Sequence, residues 1–287
     1  MSAFDAWIGR EMRATDRLDE SLARRWLATF DKTPPEAKGD AWSLPQGIHF
    51  ALCTPETPTY RLGEDGHPAR DQRAESFLPP VPLPRRMWAS SAIEFLAPIA
   101  LGAAIERVSR IASVAEKEGS SGKLAFVNVE HETSANGTPS VREVQTLVYR
   151  KAASPDAPLS PPEPGEGWFD FTQWDAMITL TPDPRLLFRY SALTFNAHRI
   201  HYDAPYARQV ERYRGLVVHG PLTASLMLKL AARELGDNTV RHFEFRGISP
   251  ALAGEKLHIA LRKSDDGYEL GAFAEDGRQV TKARARV

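Results

Sequence analysis

A single cysteine, Cys53, stands in a chain of 287 residues, so no internal disulfide can staple the fold. Charge of one sign is also lacking. The chain carries 36 basic and 37 acidic side chains, a formal net charge of −1. That balance creates no field to draw nucleic acid or an anionic membrane. No apolar run approaches the roughly 20 residues needed to cross a bilayer. The first stretch, MSAFDAWIGREMRATDRLDE, has no apolar core of the secretory type. These absences make a soluble, cytoplasmic protein the expectation, with no nucleic-acid and no membrane partner. Several catalytic signatures are missing too: no G-x-S-x-G elbow, no Walker A loop, no G-x-G-x-x-G and no H-E-x-x-H. Cys53 lies in FALCTPETP, which has no feature of an activated nucleophile.

What is present suggests a duplication. The chain is long enough for one large domain or two ordinary ones, with a substantial core. Five prolines (Pro155, Pro158, Pro161, Pro162, Pro164) crowd Ala152 to Gly167. Proline blocks both helix and central strand, so 152–167 reads as a stiff linker between units at 1–151 and 168–287, the alternative being a long surface loop inside one domain. The flanks resemble each other. EFLAPIALG (Glu94–Gly102) and EFRGISPALAG (Glu244–Gly254) share Glu-Phe and a proline four residues before a glycine. Each leads into strand-like runs. In the first unit these are Ile105–Ile111, Leu124–Thr133 and Val141–Tyr149, the last two flanking Asn136-Gly137. In the second they are Lys256–Lys263, Tyr268–Ala274 and Gln279–Val287, divided by Asp266-Gly267 and Asp276-Gly277. Such dipeptides suit turns that need positive φ. Each unit therefore reads as an antiparallel meander in an α+β fold.

GPLTASLMLKLAAREL (Gly220–Leu235) reads as a helix, with Pro221 in its first turn and Gly236 just past its end. It is apolar on nearly every side, so it must be buried on nearly every side. A buried helix followed by a meander implies a sheet curled around a helix. In the first unit, Leu18–Phe30 reads as an amphipathic helix. The proline-dense FLPPVPLPRRMWA carries Phe77, Met87 and Trp88 beside Arg85 and Arg86. It either crosses the surface of the core or walls an apolar pocket with a basic rim.

The chemistry concentrates in TFNAHRIHYD, Thr194 to Asp203. If this segment enters a short helix near Ala197, His198 and His201 share one side and Asn196 sits as its N-cap. A metal site is disfavoured, because zinc needs three or four protein ligands and neither Asp203 nor His219 falls at a recognisable spacing. The choices left are a structural cluster or acid–base catalysis, for which histidine has the most suitable pKa.

YSALTFNAHRIHYD followed by GLVVHGPLTASL resembles the MaoC-like, (R)-specific enoyl-CoA hydratase family (hydratase 2), in its type 2 hydroxyacyl-thioester dehydratase branch. RRMWASSAIEFLAPIALG and VAEKEGSSGKLAFVNVEHE look like that branch too. The resemblance runs from about Leu83 onward. It implies a double hot-dog fold, each unit a sheet wrapped around a long helix, the first unit degenerate in catalysis. It implies hydration of an enoyl-CoA or dehydration of a 3-hydroxyacyl thioester, short branched or dicarboxylic chains of the mesaconyl-C4-CoA or itaconyl-CoA type fitting best. Dehydration on acyl carrier protein, thioester hydrolysis and binding without turnover are the alternatives. No cofactor or metal is expected, coenzyme A enters as part of the substrate, and a homodimer is the family habit.

The family motif D-x-N-P-[LIV]-H places its histidine on His201 and its aspartate on Asn196. His198 replaces the family asparagine and Arg199 the proline. The resemblance thus implies His201 as base, Asn196 holding water, His198 sharing or orienting the proton work, and the Gly220 N–H as oxyanion donor. Arg199, Tyr190, Val218, His219, Arg86 and Trp88 are the implied substrate contacts. Arg199, Arg85, Arg86 and Arg246 are candidates to meet a substrate carboxylate.

Overall fold

Asn136 and Gly137 adopt φ of 50° and 78°, and this tight turn joins two of the longest strands in the protein. The computed structural model describes residues 4–34, 42–71, 73, 76–119 and 122–287. Ser120 and Ser121, part of a stretch quoted above, lie outside them. Among the described residues ten antiparallel strands form one sheet: β1 (Glu11–Arg17), β2 (Arg85–Phe95), β3 (Ala104–Gly119), β4 (Gly122–Ala135), β5 (Thr138–Arg150), β6 (Ala176–Leu180), β7 (His242–Gly247), β8 (Leu257–Ser264), β9 (Gly267–Ala274) and β10 (Gln279–Arg286). Their spatial order is β1-β3-β4-β5-β2-β7-β10-β9-β8-β6.

That order is a palindrome of two five-stranded meanders, joined where β2 pairs with β7 through Ser90–Arg246, Ala92–Glu244 and Glu94–His242. The internal repeat read from the sequence is visible in the hydrogen bonding. Gly102 and Gly254 both take positive φ, 82° and 88°. The Gly102 N–H donates to the Leu18 carbonyl, just ahead of α1 (Glu20–Thr29). The Gly254 N–H donates to the Pro182 carbonyl, just ahead of α2 (Pro184–Leu193). Asp19 and Asp183 cap these two helices in the same way, each accepting from a backbone N–H three residues on.

The long helix is α4 (Gly220–Leu235), with the boundaries that Pro221 and Gly236 imply. Leu222, Met227, Leu228 and Leu230 are buried along it. Each such side chain contributes at most about 1.5–3 kcal/mol over an exposed one. Ser225 in its interior turns its hydroxyl back to the Pro221 carbonyl at 2.8 Å, which satisfies it without water.

The two halves differ here. Val218 donates to Ala251, beside the Val217–Leu252 bridge, and leads into α4. Leu44 donates to Ile99, beside the Ser43–Ala100 bridge, and leads only into a 3-10 turn, Ile48–Ala51. Among the described residues the first half has no long central helix. Pro45 and Gly47 stand where a helix would run. A Cβ on Gly47 would meet Ser225 Oγ at 3.4 Å and Leu228 at 3.6 Å, so this turn packs straight onto α4.

The proline-rich segment 152–167 holds no helix or strand, as its composition requires. It is laid along the second half. Arg212 and Arg214 donate to the carbonyls of Ala157 and Pro161, and the Ser160 N–H donates to Arg212. No described helix is long and apolar enough to cross a membrane.

Candidate active site

The site is built on the loop between α2 and α4. Thr194 closes α2 by donating its N–H to the Tyr190 carbonyl. Phe195 then takes φ of 47°, unusual for a bulky residue, and swings the chain sharply. The short helix expected near Ala197 is a 3-10 turn, Arg199–His201. Asn196 caps its approach rather than its first residue. Its Oδ1 accepts the His198 N–H at 3.0 Å, so the carboxamide oxygen is already engaged and only its NH₂ is left to hold water. Asp203 caps α3 (Ala204–Gln209) and pairs with Arg199 at 2.7 Å.

His201 is buried, and its Nδ1 lies 2.7 Å from the Val217 carbonyl oxygen. A carbonyl only accepts, so Nδ1 carries the proton and Nε2 presents a lone pair. Burial holds the His201 pKa down at about 4, against the upward pull of the Val217 bond. The ring is therefore neutral at working pH.

The His219 ring stacks on it at 3.6 Å between centroids, tilted by 19°. His219 is also the cap residue of α4, and its Nε2 shares a 2.9 Å hydrogen bond with Ser191 Oγ. Burial, then the neighbouring histidines, keep it well below the usual histidine range. His201 and the N-terminus of the buried helix are thus adjacent. Gly220 is the first residue of that helix, exposed, and a Cβ built on it would meet nothing within 4 Å. The first N–H groups of a helix lack intrahelical partners, and the dipole there favours negative charge.

His198 stands edge-on to His201, centroids 5.4 Å apart at 87°. Burial, then the charges of His67 and His201, push it down to about 2. On its other side is a group that the sequence analysis missed. The first half sends in the loop Gly63-Glu64-Asp65-Gly66-His67. The His67 ring lies 4.0 Å from that of His198, and His67 Nδ1 bonds Asp65 Oδ2 at 2.9 Å. Burial alone would raise the Asp65 carboxyl, but its bonds to His67 outweigh it and hold the group below the usual carboxylate range. An ionised carboxylate therefore does reach the histidines, from the other half. The available signal was a turn dipeptide, Asp65-Gly66, followed at once by an ionisable ring. One donor atom from each of Asp65, His67 and His198 falls within 4.8 Å of the others. Asp65 and His67 are bonded to each other, and the His67 ring lies tilted against that of His198, so the set serves itself rather than a common point.

The other expected contacts separate clearly. Arg86 stays near the site, and its charge acts on both His67 and His198. Arg199 is not free: it is held by Asp203 and lies over the Tyr206 ring at 4.0 Å. Arg85 is buried and ion-paired with the buried Glu211, and Arg246 lines a groove of about 830 Å³ on the outer face of the sheet. Neither meets the histidines. Tyr190 is a core residue, packed on Trp26, Phe30 and His219 and only 1% exposed. It backs His219 instead of facing an open site. Val218 is likewise core. Trp88 packs on Phe50 and Phe245 and donates to Ser91 Oγ at 2.8 Å. Ser91 in turn donates to the buried Glu143, so Trp88 belongs to an interior polar network.

The chain resembles known proteins in sequence and in fold. Residues 47–253 match the model of the family described as hydroxyacyl-thioester dehydratase type 2. A mesaconyl-C(4)-CoA hydratase of Chloroflexus aurantiacus is 40% identical over 291 residues, covering 100% of this chain and 99% of the relative. The crystal structure of a MaoC-like dehydratase from Phytophthora capsici superposes with a TM-score of 0.69 at 13% identity, over 100% of this chain and 99% of that one. A Mycobacterium tuberculosis protein described as having a double hotdog fold gives a TM-score of 0.57 at 15% identity, over 97% and 95% of the two chains. The fold is a double hot-dog, and the chain belongs to the hydroxyacyl-thioester dehydratase type 2 family.

Proposed function

We propose that the protein is a hydro-lyase, adding water to the 2,3 double bond of an enoyl-CoA or removing it from a 3-hydroxyacyl-CoA. The observation that carries this reading is the fixed tautomer of His201, whose ring lies against His219, the cap residue of α4. In the hydration direction a water bonds to C3 through oxygen while its proton passes to His201 Nε2. The π electrons move to the thioester carbonyl, and the enolate oxygen is received by the N–H of Gly220. As the enolate collapses, C2 takes the proton back. The Asn196 carboxamide NH₂ orients the water, and His198 limits where it can sit. One oxyanion donor of this kind is worth about 2.7–4 kcal/mol. No step as written uses a cofactor or a metal.

For the acyl group we infer a short, branched or dicarboxylic chain, in keeping with the substrate named for the Chloroflexus relative. Arg86 is the arginine we assign to a substrate carboxylate, since it has no ion-pair partner among the described residues and its charge reaches the histidines. Guanidinium pairs with a carboxylate bidentately. The test is loss of conjugated-enoyl absorbance with mesaconyl and itaconyl thioesters, in wild type and in His201→Ala. We expect turnover in the first and almost none in the second, with the fold intact by circular dichroism. Near-wild-type rates in His201→Ala, or release of free thiol in place of hydration, refute the reading.

A further inference from the structure

Position 196 carries no carboxylate, yet one arrives at the site by another route. We propose that Asp65 and His67 are positioning residues for the histidine pair: the loop Gly63–His67 of the first half holds His198 edge-on to His201 and supplies the fixed negative charge that Asn196 cannot. This rests on the hydration reading above.

Three independent features tie that loop to the site. First, its backbone is bonded to the catalytic segment. The Arg199 N–H donates to the Asp65 carbonyl at 2.9 Å, and Arg199 Nη1 donates to the Glu64 carbonyl at 3.0 Å. Second, the approach is closer than any side chain allows. Gly66 has φ of 84°, and a Cβ there would fall 1.8 Å from the Ala197 carbonyl oxygen. Only glycine lets the two chains touch. Third, the loop is internally rigid. The Gly63 N–H donates to the His67 carbonyl at 2.7 Å, the Gly66 N–H donates to Gly63, and the His67 N–H donates to Asp65 Oδ1 at 3.0 Å. Asp65 thus fixes His67 at both its backbone and its ring, and the His67 ring rests on that of His198.

A purely structural seam between the halves would not need this chemistry. An apolar side chain at position 67 could pack on His198 equally well, and position 65 could be any turn former. An ionised carboxylate bonded to a ring nitrogen, with that ring against His198, is the arrangement that orients an imidazole.

The test uses the full-length protein and four variants: Asp65→Asn, His67→Phe, Gly66→Ala and His201→Ala. Thermal midpoints and steady-state hydration of an enoyl-CoA are measured for each. Asp65→Asn and His67→Phe should lower kcat by about 10²-fold, the low end of what a positioned acid–base group contributes. KM should stay within about threefold, and the melting temperature near wild type. Gly66→Ala should lower kcat by a similar factor by pushing the loop away. A wild-type kcat in both Asp65→Asn and His67→Phe overturns the proposal, as does a loss confined to KM, which would make the loop a substrate contact. Stoichiometric zinc in the purified protein, with activity lost on chelation, overturns it in favour of a metal site. His201→Ala separates the two readings. If it is inactive while Asp65→Asn is not, only this inference fails; if it is active, the hydratase reading fails first.

Discussion

Lowering the pH from 7.5 to 5.5 should cost the fold a large part of its stability. His49, His198, His201 and His219 are all buried, and burial depresses the pKa of each. His201 falls to about 4 and His198 to about 2, so these rings stay neutral in the native state across that window. In the unfolded chain each titrates near 6.5. Unfolding therefore takes up protons, and stability drops as pH falls through 6.5. Each histidine contributes about 1.4 kcal/mol over these two pH units, about 5–6 for the four. Glu143 works the other way. Burial raises its carboxyl, so in the fold it holds a proton that the unfolded chain releases above about 4.3. It offsets up to about 3 kcal/mol and leaves a net loss of at least about 3. That compares with the roughly 5–15 kcal/mol that holds a domain together. The assay is urea unfolding at half-unit pH steps, whose pH slope counts protons directly. An uptake of at least about three protons near pH 5.5 is expected, since burial lowers His67 and His131 too and both add to the four. A slope below one proton would mean that these imidazoles are solvated, and the account of a dry histidine site would be wrong.

Activity should follow a different acid limb. With His201 at about 4, log kcat should stay level below pH 6.5 and turn down only near pH 4–5, provided rates are taken before unfolding; a break at 6.5 refutes the assignment. Leu230→Ala, at a fully buried position of α4, should cost about 2–5 kcal/mol by chemical denaturation, and under 1 would contradict the burial. Arg85→Met strands the buried Glu211 and should cost about 3–5 kcal/mol. Adding Glu211→Leu should recover most of that, and no recovery would show the pair is not coupled.

Local signals made much of the fold legible. Asn136-Gly137 and the two Asp-Gly pairs mark hairpins because their backbones accept positive φ, and α4 announces itself by its apolar surface, Pro221 and Gly236. The duplication showed through Pro98 to Gly102 and Pro250 to Gly254, which make equivalent turns. The reduced helix of the first half was less plain, although Pro45 and Gly47 are both breakers. In the site, the family motif picked out His198 and His201 within one short stretch. It could not show Asp65 and His67, because the His67–His198 contact joins residues 131 apart in sequence and depends on how two meanders share a sheet. Nor could it show that Asn196 spends its oxygen on the backbone, that Arg199 is tied up by Asp203, or that Tyr190 lies inside the core. Those outcomes are decided by packing partners, which a motif does not name.

The β2–β7 seam has a consequence for how the molecule can change. Since one half carries His198, His201 and His219 and the other sends in Asp65 and His67, the two copies are no longer interchangeable. Any drift at the junction that rotates one meander against the other misaligns chemistry before it exposes core. Such lesions will surface as well-folded, inert enzyme, invisible to screens that score solubility alone.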